Sequence, residues 1–407
     1  MVADTRTANP PPRASKPLTA AGFILFILLG ALFTSLGALL PVLRAEFGMG
    51  ATAGSELVSV FRLGSLVATI ACGLFARRLD GSRTMSVLVV LAVGATVTMA
   101  LAPTWAAVVA AAVVAGVGFG GLVLYLNTAF AIGYGERSML MVNLLSAAFM
   151  VGCIIGPLAV GMLTGLGRHL LLGVAGLALL CWPARGLARL VPTRGSGVPG
   201  RPEGSAHRCL PLFAAFALVA LLLSVTETGI GTWEATHLVA IGFPVAAAAA
   251  LTGLFWAGHA VGRATLPFLS GRGAPGKLVV TCTLLAAGAL AGACVPGLAP
   301  YAYAVAGILL GPVIPTLLAW LATATPAPQS ANAIMLTALM VGSAGSPALI
   351  SSVIGDSSGA VIPLTLSLLA LATTIAVLLA GRAAAARIRD LRAAPAESAL
   401  FTGPAGA

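Results

Sequence analysis

Charge is what this sequence has least of. Only 8% of the 407 residues are charged, and only eleven are acidic. A soluble domain carries about 25% charged residues, so this chain cannot build a water-facing surface. Metal-ligand spacing is missing too: the four histidines do not cluster, and neither do the six cysteines, Cys72, Cys153, Cys181, Cys209, Cys282 and Cys294. All but Cys209 sit inside apolar runs and read as small buried side chains, with no disulfides expected. There is no GxxxxGK[ST] run, hence no P-loop ATP site. No paired acids or histidine clusters at helical spacing support a membrane enzyme or a cofactor. The opening MVADTRTANPPPRASK lacks the short apolar core and cleavage site of a signal peptide and reads as a disordered tail. Short alternating segments are absent as well, which excludes a transmembrane β-barrel.

What is present is apolar length. Hydrophobic residues make up 59% of the chain and mean hydropathy is +1.05. Runs of 18 or more apolar residues recur from end to end, each able to cross a ~30 Å hydrocarbon core as helix. The sequence therefore predicts an all-α polytopic membrane protein. Spans are expected near 18–43, 52–76, 85–102, 105–132, 139–163, 169–184, 211–236, 244–270, 277–297, 299–324, 331–353 and 358–381. The Arg-, Gly- and Pro-rich stretch 185–209 divides them six and six. The expected organisation is a cytoplasmic tail (1–17), a six-helix bundle (18–184), a cytoplasmic central loop (185–210), a second six-helix bundle (211–382) and a cytoplasmic tail (383–407).

Lys and Arg fix the orientation. With the N-terminus inside, eighteen basic residues fall on the cytoplasmic side. Two, Arg44 and Arg168, fall outside, and two, Arg62 and Arg263, lie within spans. This asymmetry accounts for the net charge of +11 without nucleic acid as a partner. The lipid bilayer is the partner it implies, and the Ala-, Gly- and Arg-rich usage suggests a bacterial inner membrane.

The two halves repeat. MVGCIIGP at 150–157 matches MVGSAGSP at 340–347, an offset of 190. FRLGSLVATIACGLFARRLDGSR from Phe61 corresponds to FWAGHAVGRATLPFLSGRGAPGK from Phe255, an offset of 194. Two pairs at nearly one offset, in the order of a duplication, are the signature of a transporter built from repeats.

On these residues the chain resembles the major facilitator superfamily over essentially its whole length. GLFARRLDGSR (73–83) looks like the family's loop motif between spans two and three, with Arg77 where the usual Asp stands and Asp80 displaced. GCIIGPLAVG (152–161) looks like the proline-glycine motif of the fifth span, without its closing double glycine. GFGGLVLYLN (118–127), WAGHAVGR (256–263) and GPVIPT (311–316) look most like the branch containing the fucose permeases. The carboxylate that precedes the fourth-span asparagine in the sugar-transporting members is absent, since Leu122, Val123 and Leu124 precede Tyr125 and Asn127. The resemblance implies two six-helix bundles, alternating access and a site near the bilayer midplane.

Charged residues inside spans are expensive and mark pathways. Glu227 lies 16 residues past Pro211, about 24 Å along a helix. The Gly229–Gly231 pair after it suggests a broken helix. Glu234 and His237 then read as solvated residues at the outer mouth, and Arg168 and His169 as solvated loop residues. Arg62 is expected to meet Glu227 as an outer-gate pair, with Glu227 as the protonatable coupling acid. Burial and Arg62 would pull on its protonation in opposite senses, as a proton switch needs. His259 and Arg263 share a face of the eighth span; His259 reads as a substrate or proton site, or as a packing histidine. Tyr125, Asn127, Trp233, Trp256 and Arg263 are candidate cavity residues, with Trp233 alternatively an interface anchor. Gly152, Gly156, Pro157, Gly342, Gly345 and Pro347 read as helix-packing positions.

The expected function is secondary active transport of a small organic solute by a monomer, coupled to protons. The few polar candidates favour efflux of an amphipathic compound by antiport. Two alternatives stay open: a permease taking up a small hydrophilic solute such as a sugar by symport, and a non-transporting membrane sensor on the same scaffold.

Overall fold

The computed structural model describes residues 15–50, 53–75, 80–190, 210–269, 275–325, 328–354 and 361–400. Arg77, Arg78, Arg272, Cys209, most of the central loop and most of the amino-terminal tail lie outside the described residues. Among those described, every regular element is helical. The α-helices are α1 (Lys16–Phe47), α2 (Glu56–Phe75), α3 (Gly81–Leu101), α4 (Trp105–Ile132), α5 (Ser138–Met162), α6 (Leu170–Leu180), α7 (Leu210–Ala240), α8 (Val245–Leu269), α9 (Pro275–Gly292), α10 (Ala299–Leu310), α11 (Val313–Ala324), α12 (Pro328–Ile354) and α13 (Val361–Leu400).

Among the described residues, eleven spans are long and apolar enough to cross a membrane, with α10 and α11 forming one of them. A twelfth is a broken piece, in which Thr164–Leu180 and Trp182–Ala188 meet at a 52° bend. The expected straight sixth span at 169–184 is thus replaced by the 11-residue α6 and flanking 3₁₀ turns. The tenth span is likewise interrupted, because Pro312 has no N–H to continue the ladder. The last helix runs on past the expected end at 381, to Leu400.

Loop chemistry starts two helices. The Asp80 carboxylate accepts from the Arg83 N–H at 2.7 Å and caps α3, so the displaced acid of the loop motif is engaged locally. The Thr104 side chain caps α4. Arg168 is not a solvated loop residue. Its side chain is buried and donates to the Ala102 carbonyl at the end of α3, where last-turn carbonyls lack helical partners. Of the apolar-run cysteines, Cys294 departs from expectation. It is exposed in the turn after α9, while Cys72, Cys153, Cys181 and Cys282 are buried.

The chain forms two compact units that cut across helices. One holds Met1–Phe33, Gly64–Gly156 and Arg168–Gly197; the other holds Thr34–Leu63, Pro157–Gly167 and Val198–Ala407. In the first, Phe26, Phe33, Phe119 and Phe149 form an aromatic cluster between α1, α4 and α5. Lipid gives helices no hydrophobic reason to associate, so close packing between small residues must do it.

The internal repeat survives in that packing. In the first unit, Gly64 of α2 sits against the Val113 carbonyl and the Val117 nitrogen of α4. In the second, Gly258 of α8 sits against the Ala304 carbonyl and the Ile308 nitrogen of α10. Gly152 of α5 abuts the Ile27 carbonyl of α1; Gly342 of α12 abuts the Leu221 carbonyl of α7. Each pair keeps an offset of 190 to 194 on both partners, so the sequence repeat is also a repeat of helix-to-helix contacts.

Candidate functional site

The second unit gathers most of the polar candidates around α7. This helix is continuous from Leu210 to Ala240 and carries no break at Gly229–Gly231. The two glycines serve close approach instead. A β-carbon on Gly229 would run into Ile350 and Leu366, of α12 and α13. Gly231 presents its bare backbone to Gly37 of α1 and lies under the Trp256 ring. Hydroxyls fasten α7 to α12: Ser224 Oγ donates to the Leu339 carbonyl at 2.6 Å, Ser346 Oγ to the Val225 carbonyl at 2.6 Å, and Thr228 pairs with Ser343 at 3.0 Å.

Glu227, Gly231 and Glu234 stand at i, i+4 and i+7, on one stripe of α7. The Oε1 atom of Glu227 is buried and has no hydrogen-bond partner. The charge whose field reaches Glu227 is Arg263 on α8. Arg263 spends its donors elsewhere: Nε reaches the Gly311 carbonyl at 3.2 Å, at the α10–α11 interruption, and Nη2 reaches His259 Nε2 at 3.1 Å. A guanidinium cannot accept, so His259 Nε2 is the acceptor and the imidazole is neutral. Its Nδ1 is buried without a partner, and the Trp256 ring lies 5.9 Å away. Glu227, His259, Arg263 and Trp256 thus come together. Arg62 is half-buried in the second turn of α2, in the same unit.

Two turns further along α7 lies a second cluster, made of residues expected from the sequence to be in water. Glu234 and His237 are both 0% exposed. The helix runs on unbroken to Ala240, and neighbouring helices cover its last turns. Both Glu234 oxygens and His237 Nε2 lack partners. His237 Nδ1 shares a 3.0 Å hydrogen bond with the Tyr303 hydroxyl of α10, and Tyr303 is close enough to Glu234 to couple to its charge. Trp233 is fully buried, not an interface anchor. Arg44, counted among the outer loop charges, sits in the last turn of α1 at 6% exposure. Its guanidinium lies 5.3 Å from the Trp233 ring centre, with Nη1 donating to Thr236 Oγ1 at 2.7 Å and Nε to the Ala53 carbonyl at 2.6 Å. Arg44 and Tyr303 are the site residues that sequence reasoning missed. A cation inside the last turn of a span was a signal for the first; Tyr303, in an Ala- and Gly-rich run, gave none.

Tyr125 and Asn127 belong to the first unit. Tyr125 is buried on α4 and its ring lies beside Gly81. Asn127 Nδ2 donates to the Val123 carbonyl of its own helix at 2.8 Å. Among the packing positions, Gly156, Pro157 and Pro347 are buried, whereas Gly345 is exposed with open space where a β-carbon would stand. No group of three or more His, Cys, Asp or Glu among the described residues could hold a metal.

Comparison with known proteins agrees with this architecture. No curated protein matches the sequence. Solved structures do match in fold: the nucleoside transporter NupG (14% identity, 89% of this chain and 98% of that one, TM-score 0.70), a bacterial homolog of the human lysosomal transporter Spinster in an inward-facing, unoccupied conformation (16%, 92% and 98%, 0.69), and the E. coli fucose:proton symporter FucP (15%, 90% and 98%, 0.60). Residues 22–349 match the profile of the Major Facilitator Superfamily, and the chain belongs to that superfamily of membrane transporters.

Proposed function

We propose that this chain is a proton-coupled secondary transporter of a small organic solute in the inner membrane, working by alternating access with both termini in the cytoplasm. The observation that carries the reading is Glu227: a carboxyl oxygen buried without a hydrogen bond, in the field of an arginine whose donors hold His259 and the α10–α11 interruption. An acid so placed can gain or lose a proton and thereby change what Arg263 holds. Arg62, half-buried on α2 of the same unit, is the proposed cation of the outer gate. Trp256 and Trp233 in this unit, and separately Tyr125 and Asn127 in the first, are the proposed solute-facing residues, and their mostly aromatic character favours an amphipathic solute moved outward by antiport. Symport of a small hydrophilic solute is the second reading, favoured by the fucose:proton symporter among the fold neighbours.

Proteoliposomes holding an internal pH dye, with no imposed gradient, test both. A panel of sugars, organic acids and amphipathic natural products is added outside. Internal alkalinisation on adding a compound means antiport; internal acidification means symport. Glu227→Gln is expected to abolish the pH response while the protein remains folded. A variant that keeps the wild-type response removes Glu227 from coupling. Silence of the wild type across the panel favours the sensor reading.

A further inference from the structure

Glu234 is the least explained group in the molecule. It is fully buried, and both carboxyl oxygens lack any hydrogen-bond partner. Burying an ionised carboxylate without a partner is strongly unfavourable. An unsatisfied neutral carboxyl is still destabilising relative to an apolar side chain of the same shape. Packing alone would therefore select leucine or methionine here. An ionisable group kept inside a membrane at such a cost is a functional group by default.

The surroundings decide what it can bind. On α7 itself the titratable neighbour is His237, one turn away, hydrogen-bonded to Tyr303 of α10. Tyr303 in turn couples to Glu234 and Cys294. From α1, Arg44 faces Trp233 and Thr236, on either side of Glu234 in sequence, and Glu56 of α2 acts on that arginine. From α8, His259 and Arg263 are bonded to each other at the Glu227 cluster. The α11 and α12 sequences contain no titratable residue, and the first in α13 is Arg382. Two oxygens from one carboxyl are too few for a hard metal cation, which takes six or more oxygen ligands. The ligand that fits is a proton.

We propose that Glu234, with His237 and Tyr303 beside it, is a second proton-carrying site. It is loaded in the arrangement seen here and discharges to the outer aqueous phase when α1 lifts from its seat at Gly37 and Gly231. The chemistry is plain dissociation: the carboxyl O–H bond breaks, the electron pair stays on the carboxylate, and the proton passes to water. Arg44, freed from Trp233 and Thr236, is then the cation at hand to stabilise the anion. The Trp256 ring over Gly231 stands between this site and Glu227, so each acid can exchange separately. The proposal rests on the proton-coupled reading above, and on its orientation.

Infrared spectra of the protein in lipid bilayers, taken in H₂O and D₂O, test it without a substrate. The wild type is expected to show protonated-carboxyl C=O absorption that D₂O shifts. Glu234→Gln should remove one component and Glu227→Gln another. Absorption unchanged by Glu234→Gln overturns the proposal whatever Glu227→Gln does. Loss with Glu234→Gln but none with Glu227→Gln keeps this site and sinks the role of Glu227 instead. If the Gln variant does not fold, Glu234→Asp serves: it should displace the component, and an unmoved component overturns the proposal. Arg44→Ala should speed deuteration of the Glu234 component several-fold by loosening the α1 seat. An unchanged rate overturns the outward route.

Discussion

At the scale of single residues, the second unit is organised by groups that cross from one helix to another. Arg44 is the strongest of these: three helix-end features, Trp233, Thr236 and the Ala53 carbonyl, converge on one guanidinium. Hydrogen bonds to charged groups contribute about 1.5–3 kcal/mol each. Arg44→Ala is therefore expected to lower stability by about 2 kcal/mol or more, read as a fall in unfolding temperature in detergent, and to shift Trp233 emission to the red as water reaches the ring. Arg44→Lys should recover only part of the loss, because an ammonium keeps a cation over the ring but lacks the fork that serves two acceptors. A variant as stable as the wild type would mean that the α1 seat holds without it. The sequence made Glu227 legible, since an acid deep in an apolar run can be recognised by its depth alone. It misplaced Glu234, His237 and Arg44 because a span was assumed to end where polar residues begin. In the structure α7 continues to Ala240 and α1 to Phe47, so these side chains meet other helices before they meet water.

At the scale of helices, missing side chains matter as much as present ones. The paired glycines at 152–156 (GCIIG) and 342–345 (GSAG) were readable as packing positions, but not which members touch a neighbour. Gly342 abuts the Leu221 carbonyl, whereas Gly345, three residues on, faces open space. Helix phase explains the difference: three residues turn the face by about 300°, enough to leave a narrow contact line. Adding a side chain at the two kinds of position should therefore have opposite outcomes. Gly345→Ala should hold or raise stability, since glycine in a helix interior costs roughly 0.5–1 kcal/mol relative to alanine. Gly258→Leu should sharply reduce folded protein, because its β-carbon meets the Ala304 carbonyl, which cannot move without α10. Gly64→Leu should do the same through Val113 of α4. Size-exclusion profiles of the three variants in detergent check this, and equal losses at Gly64 and Gly345 would refute the contact assignment. The interruptions of the sixth and tenth spans stayed invisible for a related reason: composition reports how apolar a run is, not whether its hydrogen-bond ladder is whole.

At the scale of the whole molecule, the fold class followed from composition, and orientation rests on charge alone. Two native cysteines give an independent check on that orientation. With the N-terminus inside, the turn between the ninth and tenth spans is external, and it carries Cys294, which is exposed. The central loop is then internal, and its sequence carries Cys209. The remaining described cysteines, Cys72, Cys153, Cys181 and Cys282, are buried and so withheld from reagent in the folded protein. A thiol reagent that cannot cross the membrane, applied to intact cells, is expected to label Cys294 and spare Cys209. Permeabilised cells should label both, with peptide mass spectrometry identifying the sites. Labelling of Cys209 alone in intact cells would invert the molecule. Inversion would carry the Glu234 cluster and the Arg44 seat to the cytoplasmic side, so the same experiment decides which compartment the proposed second proton site exchanges with.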